Sequence, residues 1–257
     1  GNFVLLKEAG GRRALAVAAL LPQGYTRTLL PAYYRPLARP LPLFGYAAVA
    51  WRQGRVWVAA QRTDDPARWD PRHYNTPDLP EKIARRLAES PRNPVLRQLA
   101  CCARDYSCFT AQNIFYSRWE GGLPVSPACN AGCLGCISRQ PAGCCPSPQE
   151  RIKEAPPPEA VVEVMEHHLA RAPEAIISFG QGCEGEPLLQ ADLVAGAVAR
   201  VRSRVSRGTI NMNTNAGSPE AVRKVVEAGL NSLRVSLFSA DPALYRLYHR
   251  PRGFSLR

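Results

Sequence analysis

The chain is organised around residues 129–136, which read Cys129-Asn130-Ala131-Gly132-Cys133-Leu134-Gly135-Cys136. Three residues separate the first two cysteines, and two residues separate the second from the third. Thiolates are soft ligands that suit iron–sulfur clusters, zinc or copper(I). A four-iron cluster ordinarily takes four cysteines, one on each iron. A compact group of three therefore predicts a [4Fe-4S] cluster in which one iron stays open to a small molecule.

A structural zinc site is the alternative for these cysteines, because Cys144 or Cys145 can supply the fourth ligand that such a site requires. The loop over residues 129–150 is rich in Gly, Pro, Asn and Ser, as expected of a chain that bends around a compact inorganic group. We expect Gly132 and Gly135 to relieve the backbone in this loop.

Five further cysteines leave two interpretations open. Cys101, Cys102 and Cys108 precede the trio, and Cys144 and Cys145 follow it. They either bind a second metal or are buried free thiols, which pack as small hydrophobic side chains.

The length of 257 residues suits one sizeable core, or a core with a smaller domain. No apolar run is long enough to span a bilayer, and Ala14–Leu21 predicts a core strand rather than a signal peptide. Without an export signal we expect a reducing cytoplasm, where nine cysteines favour metal over disulfides. Because the chain starts at Gly1 without methionine and stops at Arg257 just after a helical pattern, we expect either a fragment or a truncated reading frame.

The net charge of +12 raises nucleic acid as a candidate partner. Lysine accounts for 4 of the 33 basic residues, so arginine supplies 33 − 4 = 29 of them, and arginine favours forked contacts with phosphate. The arginines are nevertheless spread along the whole chain rather than gathered in one stripe, so nucleic acid is not the favoured partner.

Residues 1–62 predict a small β-rich N-terminal domain. Runs rich in Val, Leu, Ala, Tyr and Trp occur at residues 3–6, 14–21 and 46–60. Gln53-Gly54 interrupts the last of them and predicts a β-hairpin. The proline-rich stretch Pro31–Pro42 cannot be helical and separates the strands.

Residues 63–121 predict a linker followed by a helical segment that carries the extra cysteines. Prolines and charges dominate residues 63–80. We predict one helix from Pro80 to Ala88 and a second from Pro94 to Cys101, with Pro94 in the first turn, where proline is tolerated.

Residues 122–257 alternate between strands and helices. The predicted strands are residues 122–126, 175–179, 209–213 and 232–237. The predicted helices are residues 159–170, with His167 and His168 on its solvated face, 188–204, one opened by Ser218-Pro219 and closed by Gly229, and 241–249. This alternation indicates parallel βαβ units with right-handed crossovers. The predicted fold class is therefore α/β, a partial (β/α) barrel preceded by the N-terminal domain.

Polar residues follow the ends of these strands. Gly180–Pro187 follows the second strand, Asn213-Thr214-Asn215 follows the third, and Ser236, Phe238 and Ser239 end the fourth. The cysteine loop follows the first. Because active sites of α/β barrels form at the C-terminal ends of the strands, four stretches are expected to converge on one rim.

The Cys-x3-Cys-x2-Cys run and these loops resemble the radical S-adenosylmethionine (SAM) enzymes over roughly residues 122–257. The resemblance implies that Cys129, Cys133 and Cys136 bind a [4Fe-4S] cluster, whose fourth iron is chelated by SAM. It further implies reductive cleavage of SAM to methionine and a 5′-deoxyadenosyl radical, which abstracts hydrogen from a substrate that the sequence does not name. An external electron donor of the flavodoxin or ferredoxin type is implied as a partner.

The same resemblance implies which residues bind SAM. Gly185-Glu186-Pro187 is similar to the end of the family's Gly-Gly-Glu-Pro motif, where a carboxylate or carbonyl holds the ammonium of SAM. Thr214-Asn215 resembles Thr-Asn-Gly, with Ala216 in place of glycine, and Val235-Ser236-Leu237 resembles the fourth strand, where polar groups meet ribose or carboxylate. Arg250 or Arg252 is expected to pair with the SAM carboxylate. The full implied set is Leu134, Gly135, Cys183, Glu184, Gly185, Glu186, Asn213, Asn215, Ser236 and Arg250.

The sequence departs from the family pattern in three places. Gly135 stands where an aromatic residue usually packs on adenine, so the adenine contact is expected from Leu134 or elsewhere. The acidic loop reads Glu184-Gly185-Glu186, so either carboxylate can serve, with Cys183 beside them. The later barrel strands are absent, so the barrel is expected to be partial and unable to enclose a radical by itself.

Two rival functions remain beside the enzyme. One is a non-catalytic zinc or iron–sulfur module that binds RNA, which the basic charge and the surplus cysteines support. It leaves the Gly180–Pro187 loop and the strand-end asparagines unexplained. The other is a scaffold fragment that keeps the fold without the chemistry.

Overall fold

The computed structural model of the protein describes residues 8–9, 11–13, 18–31, 44–140 and 145–256. The chain divides into two compact units, residues 1–71 and residues 72–257. The predicted strand at residues 3–6, part of the one at 14–21, most of Pro31–Pro42 and Cys144 lie outside the described residues. Within the described ranges, every helix is too short or too polar to cross a membrane.

The first unit is built from short antiparallel strands. Its described residues form three small sheets. One pairs β1 (Glu8–Ala9) with β2 (Arg12–Arg13), one pairs β4 (Tyr25–Arg27) with β7 (Ala60–Arg62), and the third contains β3 (Ala18–Leu20), β5 (Tyr46–Arg52) and β6 (Arg55–Val58) in that order. The predicted hairpin is confirmed, because β5 and β6 pair across Gln53 and Gly54. Their φ values of 53° and 75° are those of a two-residue turn that matches the twist of its strands.

The second unit begins with three packed helices, α1 (Leu79–Glu89), α2 (Pro94–Asp105) and α3 (Phe109–Tyr116). The helices predicted at Pro80 and Pro94 are confirmed, although α2 continues four residues beyond Cys101. The third helix was not predicted. Its residues 111–115 are all buried, so it lacks the apolar stripe by which an amphipathic helix is recognised.

The core of the second unit is a parallel four-stranded sheet, and the α/β class is confirmed. Its strands β8 (Glu120–Gly122), β9 (Ile176–Phe179), β10 (Thr209–Thr214) and β11 (Ser232–Val235) lie side by side in chain order. One α-helix follows each of the four strands along the chain: α4 (Pro158–Arg171), α5 (Ala191–Arg202), α6 (Pro219–Glu227) and α7 (Pro242–His249). A 3₁₀ turn, Pro187–Gln190, leads directly into α5.

The first strand of this sheet begins and ends earlier than predicted. β8 ends at Gly122, where the predicted strand begins, so the range 122–126 is wrong. Beyond that point the amides of Val125 and Ser126 donate to the Glu184 carboxylate instead of to a neighbouring strand. The chain therefore leaves the sheet to meet an acidic loop.

The two faces of the sheet differ in chemistry. Ile177, Phe179, Ile210 and Met212 face one side, and all four are fully buried in the core that contains residues of α4 and α5. On the other side Ser178 donates to Glu120 at 2.5 Å and accepts from Asn211 at 3.2 Å. The strands of a parallel sheet that is covered by helices on both faces are apolar throughout. Here apolar and polar residues alternate along the strands, so only one face of the sheet packs in the apolar core.

Two local predictions about the helices had different outcomes. The Ser218 hydroxyl accepts the Ala221 amide at 3.2 Å, and Gly229 follows α6 with φ of 111°, so the predicted start and end of α6 are confirmed. The predicted solvated position of His168 is wrong, because its ring is fully buried with Nε2 at 2.9 Å from the Trp119 carbonyl. α4 packs on β9, which takes this face of the helix out of water.

Candidate functional site

A cavity of about 300 Å³ is lined by the cysteine loop and by the segments that follow β9, β10 and β11. It brings together ten of the residues that the sequence singled out. They are Cys129, Cys133, Cys136, Gly135, Glu184, Gly185, Glu186, Asn213, Asn215 and Ser236. The structure thus places at one rim residues that are up to 107 positions apart in the chain, since 236 − 129 = 107.

Four of the residues that the resemblance implied for SAM binding do not line this cavity. The Leu134 side chain is 37% exposed to solvent. Cys183 lies buried in the core, where its thiol is hydrogen-bonded to that of Cys102. Arg250 follows α7 in a left-handed conformation with φ of 48°, and a Cβ on Gly132 would lie 3.8 Å from a guanidinium nitrogen of Arg252.

A nitrogen lies within hydrogen-bonding distance of each thiol of the cysteine loop. The Arg139 amide donates to Cys136 Sγ at 3.3 Å, the Ala131 amide contacts Cys129, and His249 Nδ1 lies 3.2 Å from Cys133 Sγ. Burial first, and then the charges of its two neighbours, raise the pKa of Cys133 to about 11. Three adjacent thiolates therefore need positive charge among them, which bound metal would provide.

The chemistry of the donor set fits a four-iron cluster. Across the described ranges, no three His, Cys, Asp or Glu side chains are arranged around a point that one metal ion could occupy. A cluster does not need such convergence, because each cysteine binds a different iron. Three soft sulfur ligands on one cavity wall, each with an N–H donor, are the chemistry that such a cluster requires.

Glu184 joins the two loops that carry most of the site. Its carboxylate accepts the amides of Val125 at 2.8 Å and Ser126 at 3.0 Å on one oxygen, and those of Gly180 at 2.5 Å and Gln181 at 3.3 Å on the other. Complete burial raises the pKa of Glu184 to about 7, and the amide donors oppose that rise. Both oxygens are used in binding backbone, so this carboxylate is a structural group.

Glu186 has the remaining acceptor capacity. Its oxygens accept from the Thr214 hydroxyl at 2.5 Å, the Leu188 amide at 3.1 Å and the Asn215 amide at 2.8 Å. An ionised carboxylate has about four lone-pair sites, and the described donors fill three here against four at Glu184. Burial raises the pKa of Glu186, and these three donors oppose that rise. Of the two carboxylates, Glu186 is the one that can accept a donor from a ligand.

Close backbone approach explains the glycine between these carboxylates. The Gly185 amide donates to Ser126 O at 2.7 Å, and the Glu186 amide donates to Ala128 O at 2.8 Å. A Cβ on Gly185 would lie 1.9 Å from the Ala128 oxygen. Only glycine allows the acidic loop and the segment before Cys129 to pair at this distance.

Gly135 leaves room for a neighbouring side chain, which is not the role that the sequence predicted for it. Neither Gly132 nor Gly135 has a positive φ, so the prediction that they relieve the backbone is wrong. A Cβ on Gly135 would lie 2.3 Å from the hydroxyl oxygen of Tyr248, which lines the cavity. The Tyr248 ring stacks on Phe238 with a centroid distance of 4.1 Å and an interplanar angle of 8°. An aromatic ring from α7 thus occupies the space beside Gly135.

The end of α7 holds the cysteine loop in place. The last carbonyls of a helix have no partner within the helix. Here Tyr248 O accepts the Leu134 amide at 3.0 Å, and His249 O accepts the Gly132 amide at 2.9 Å. The sequence analysis missed this role of α7, and it also missed Arg151, a cation on the cavity wall that donates to Ser138 at 2.8 Å. The sequence around α7 predicts only a helix, and the sequence around Arg151 is rich in proline. Neither pattern indicates that these residues reach the cavity.

The sequence model of the Radical SAM superfamily matches residues 123–256, which are 134 of the 257 residues. The chain therefore belongs to the radical SAM superfamily, as its sequence predicted. No curated protein matches it significantly. Members of this superfamily are generally enzymes, and they typically use a [4Fe-4S] cluster with SAM as co-substrate.

Proposed function

We propose that the protein is a radical SAM enzyme in which Cys129, Cys133 and Cys136 hold a [4Fe-4S] cluster and the strand-end cavity binds SAM. When bound and reduced, the cluster supplies the electron that cleaves SAM to methionine and a 5′-deoxyadenosyl radical, which abstracts hydrogen from a substrate. The observation that carries the proposal is the common cavity wall formed by the three thiols and the Glu186 carboxylate, two features of the family from separate loops.

The methionine part of SAM has partners of both charges. Glu186 accepts the ammonium on its unfilled lone pair, which makes a charge-assisted hydrogen bond. Arg151 pairs with the carboxylate, in place of Arg250 or Arg252, because the Arg151 side chain is the one on the cavity wall. Ser236 and Asn213 lie on the same wall and bind the ribose hydroxyls.

The polar face of the sheet binds the substrate. Glu120, Ser178 and Asn211 lie on this face and are joined by hydrogen bonds. We propose that the four strands are the first part of a (β/α) barrel and that residues 1–62 form a separate β-rich domain. We place the enzyme in a reducing cytoplasm with a flavodoxin or ferredoxin as electron donor, where its thiols stay reduced.

The alternative, a non-catalytic metal module that binds RNA, has less support. Its surplus cysteines include Cys102, a free thiol that is buried in the core and hydrogen-bonded to the thiol of Cys183. Buried free thiols of this kind pack as small apolar side chains and need no metal. The alternative also gives no role to the acidic loop at residues 184–186.

Anaerobic reconstitution with iron and sulfide tests the proposed function. We expect a [4Fe-4S] absorption spectrum, an electron paramagnetic resonance (EPR) signal in the reduced state that SAM alters, and 5′-deoxyadenosine after reduction. A redox-silent zinc stoichiometry, or a cluster that SAM does not affect, would contradict it. Labelled SAM added with cell extract, followed by mass spectrometry, would then identify the substrate.

Replacing Tyr248 with alanine is expected to weaken SAM binding about tenfold or more. We propose that adenine packs on this ring, and base–aromatic stacking is worth about 1–3 kcal/mol, of which about 1.4 kcal/mol corresponds to a factor of ten. The measurement is a SAM titration of the reduced EPR signal.

Two variants are matched to that test. Tyr248→Phe keeps the ring and should bind SAM nearly as well as the unaltered chain. Leu134→Ala removes the other candidate for the adenine contact, and its side chain does not line the cavity. An unchanged affinity in Tyr248→Ala together with a loss in Leu134→Ala would reverse the assignment.

A further inference from the structure

The His249 ring links Phe238, in the segment that follows β11, to the middle cysteine of the loop. It is 3% exposed. Its Nε2 lies 3.1 Å from the amide nitrogen of Phe238, and its Nδ1 lies 3.2 Å from Cys133 Sγ. The backbone of the same residue accepts the Gly132 amide, so both the ring and the main chain of His249 bind the cysteine loop.

The amide of Phe238 determines where the ring carries its proton. A backbone N–H can only donate, so Nε2 must be the acceptor in this hydrogen bond. A neutral imidazole with an unprotonated Nε2 carries its hydrogen on Nδ1. The N–H of Nδ1 therefore points at Cys133 Sγ, and the sulfur is the acceptor.

This donor differs from those of the other two cysteines. Cys129 and Cys136 receive backbone amides, which no side-chain substitution removes. Cys133 receives a side-chain N–H in addition to a backbone contact. A hydrogen bond to a ligand sulfur stabilises the more negative state of a cluster, and such bonds are among the factors that set its reduction potential.

We propose that His249 is a positioning residue that donates Nδ1–H to the Cys133 thiolate and thereby raises the reduction potential of the cluster. This role rests on the proposed function, since it requires a cluster on the three cysteines. His249 lines the cavity, but both of its ring nitrogens are already engaged, one with Cys133 Sγ and the other with the Phe238 amide, so it acts through the ligand cysteine.

A matched pair of variants isolates the hydrogen bond. His249→Asn places a side-chain NH₂ near the position of Nδ1 and keeps a donor for the sulfur. His249→Phe fills the space of the ring without a donor. Both variants lose the Nε2 acceptor for Phe238, so the pair differs mainly in the bond to Cys133.

The experiment is a redox titration of the reconstituted cluster, followed by EPR, in the unaltered full chain and in both variants. We expect His249→Phe to reduce the equilibrium constant for one-electron reduction about tenfold, which corresponds to a potential about 59 mV lower. We expect His249→Asn to recover most of that loss. Equal potentials in the unaltered chain and in His249→Phe would overturn the assignment, as would an equal loss in the two variants.

A second measurement needs no variant, in case His249→Phe does not fold or take up a cluster. With ¹⁵N-labelled histidine, pulsed EPR of the reduced unaltered chain should detect one nitrogen coupled to the cluster. The other three histidines, His73, His167 and His168, do not line the cavity. Absence of a coupling in a chain that holds the cluster would overturn the role of His249 alone. Absence of any cluster in the unaltered chain would overturn the proposed function and this role together.

Discussion

Replacing Cys133 with alanine is expected to abolish the [4Fe-4S] cluster. Each of the three thiols serves a different iron, so two cysteines leave two irons without a protein ligand. The fold should persist, because the cysteine loop is also held by the backbone hydrogen bonds of Gly132 and Leu134 to the end of α7. The measurement is iron and sulfide content after anaerobic reconstitution, with circular dichroism to check the fold.

The control variants for this prediction also test the zinc alternative. Cys101→Ala removes a half-buried thiol of α2 that lies off the cavity, so iron content should stay the same. Cys145→Ala and Cys144→Ala remove the candidate fourth ligands, and neither should reduce iron content if one iron is left for SAM. Loss of metal in either of these two variants, to the extent seen in Cys133→Ala, would indicate a site closed by four protein ligands.

Replacing Glu184 with alanine is expected to cost about 3–5 kcal/mol in the free energy of unfolding. The carboxylate is 1% exposed and accepts four backbone amides. Each buried amide left without an acceptor costs about 1–3 kcal/mol, and relaxation of the loops recovers part of the total. Since domains are stable by only about 5–15 kcal/mol, much of the stability of this unit would be lost.

Urea unfolding measures this cost. Glu184→Gln should also destabilise, because its NH₂ group would face amides that can only donate. Glu159→Gln is the matched control: Glu159 is exposed and pairs with Arg200 on the surface, so the unfolding midpoint should barely move. Equal midpoints for Glu184→Ala and Glu159→Gln would mean that the two loops do not depend on this carboxylate.

Local patterns predicted much of the second unit. Ser218, Pro219 and Gly229 mark the ends of α6 because capping side chains, proline and glycine act on the residues next to them. The strand predicted at residues 209–213 is confirmed as β10, which ends one residue later, at Thr214. Where the local signal was absent the prediction failed, as in α3, whose residues are buried on several sides.

The choice between Glu184 and Glu186 was open in the sequence. Both stand in the same acidic loop, and both types of side chain can accept an ammonium. Which one is free to do so depends on how many amides from other loops reach each carboxylate. Those amides belong to residues as distant in the chain as Val125, so only the folded chain assigns them.

The sequence alone identifies the family, the three cysteines and the alternation of strands and helices, because each of these is recognised from residues only a few positions apart. Only packing decides that His249, 116 positions after Cys133, turns its ring nitrogen to that sulfur. It also decides that Tyr248 fills the space beside Gly135 and that His168 is buried. Contacts of this kind depend on where whole helices come to lie, and no short run of residues encodes that position.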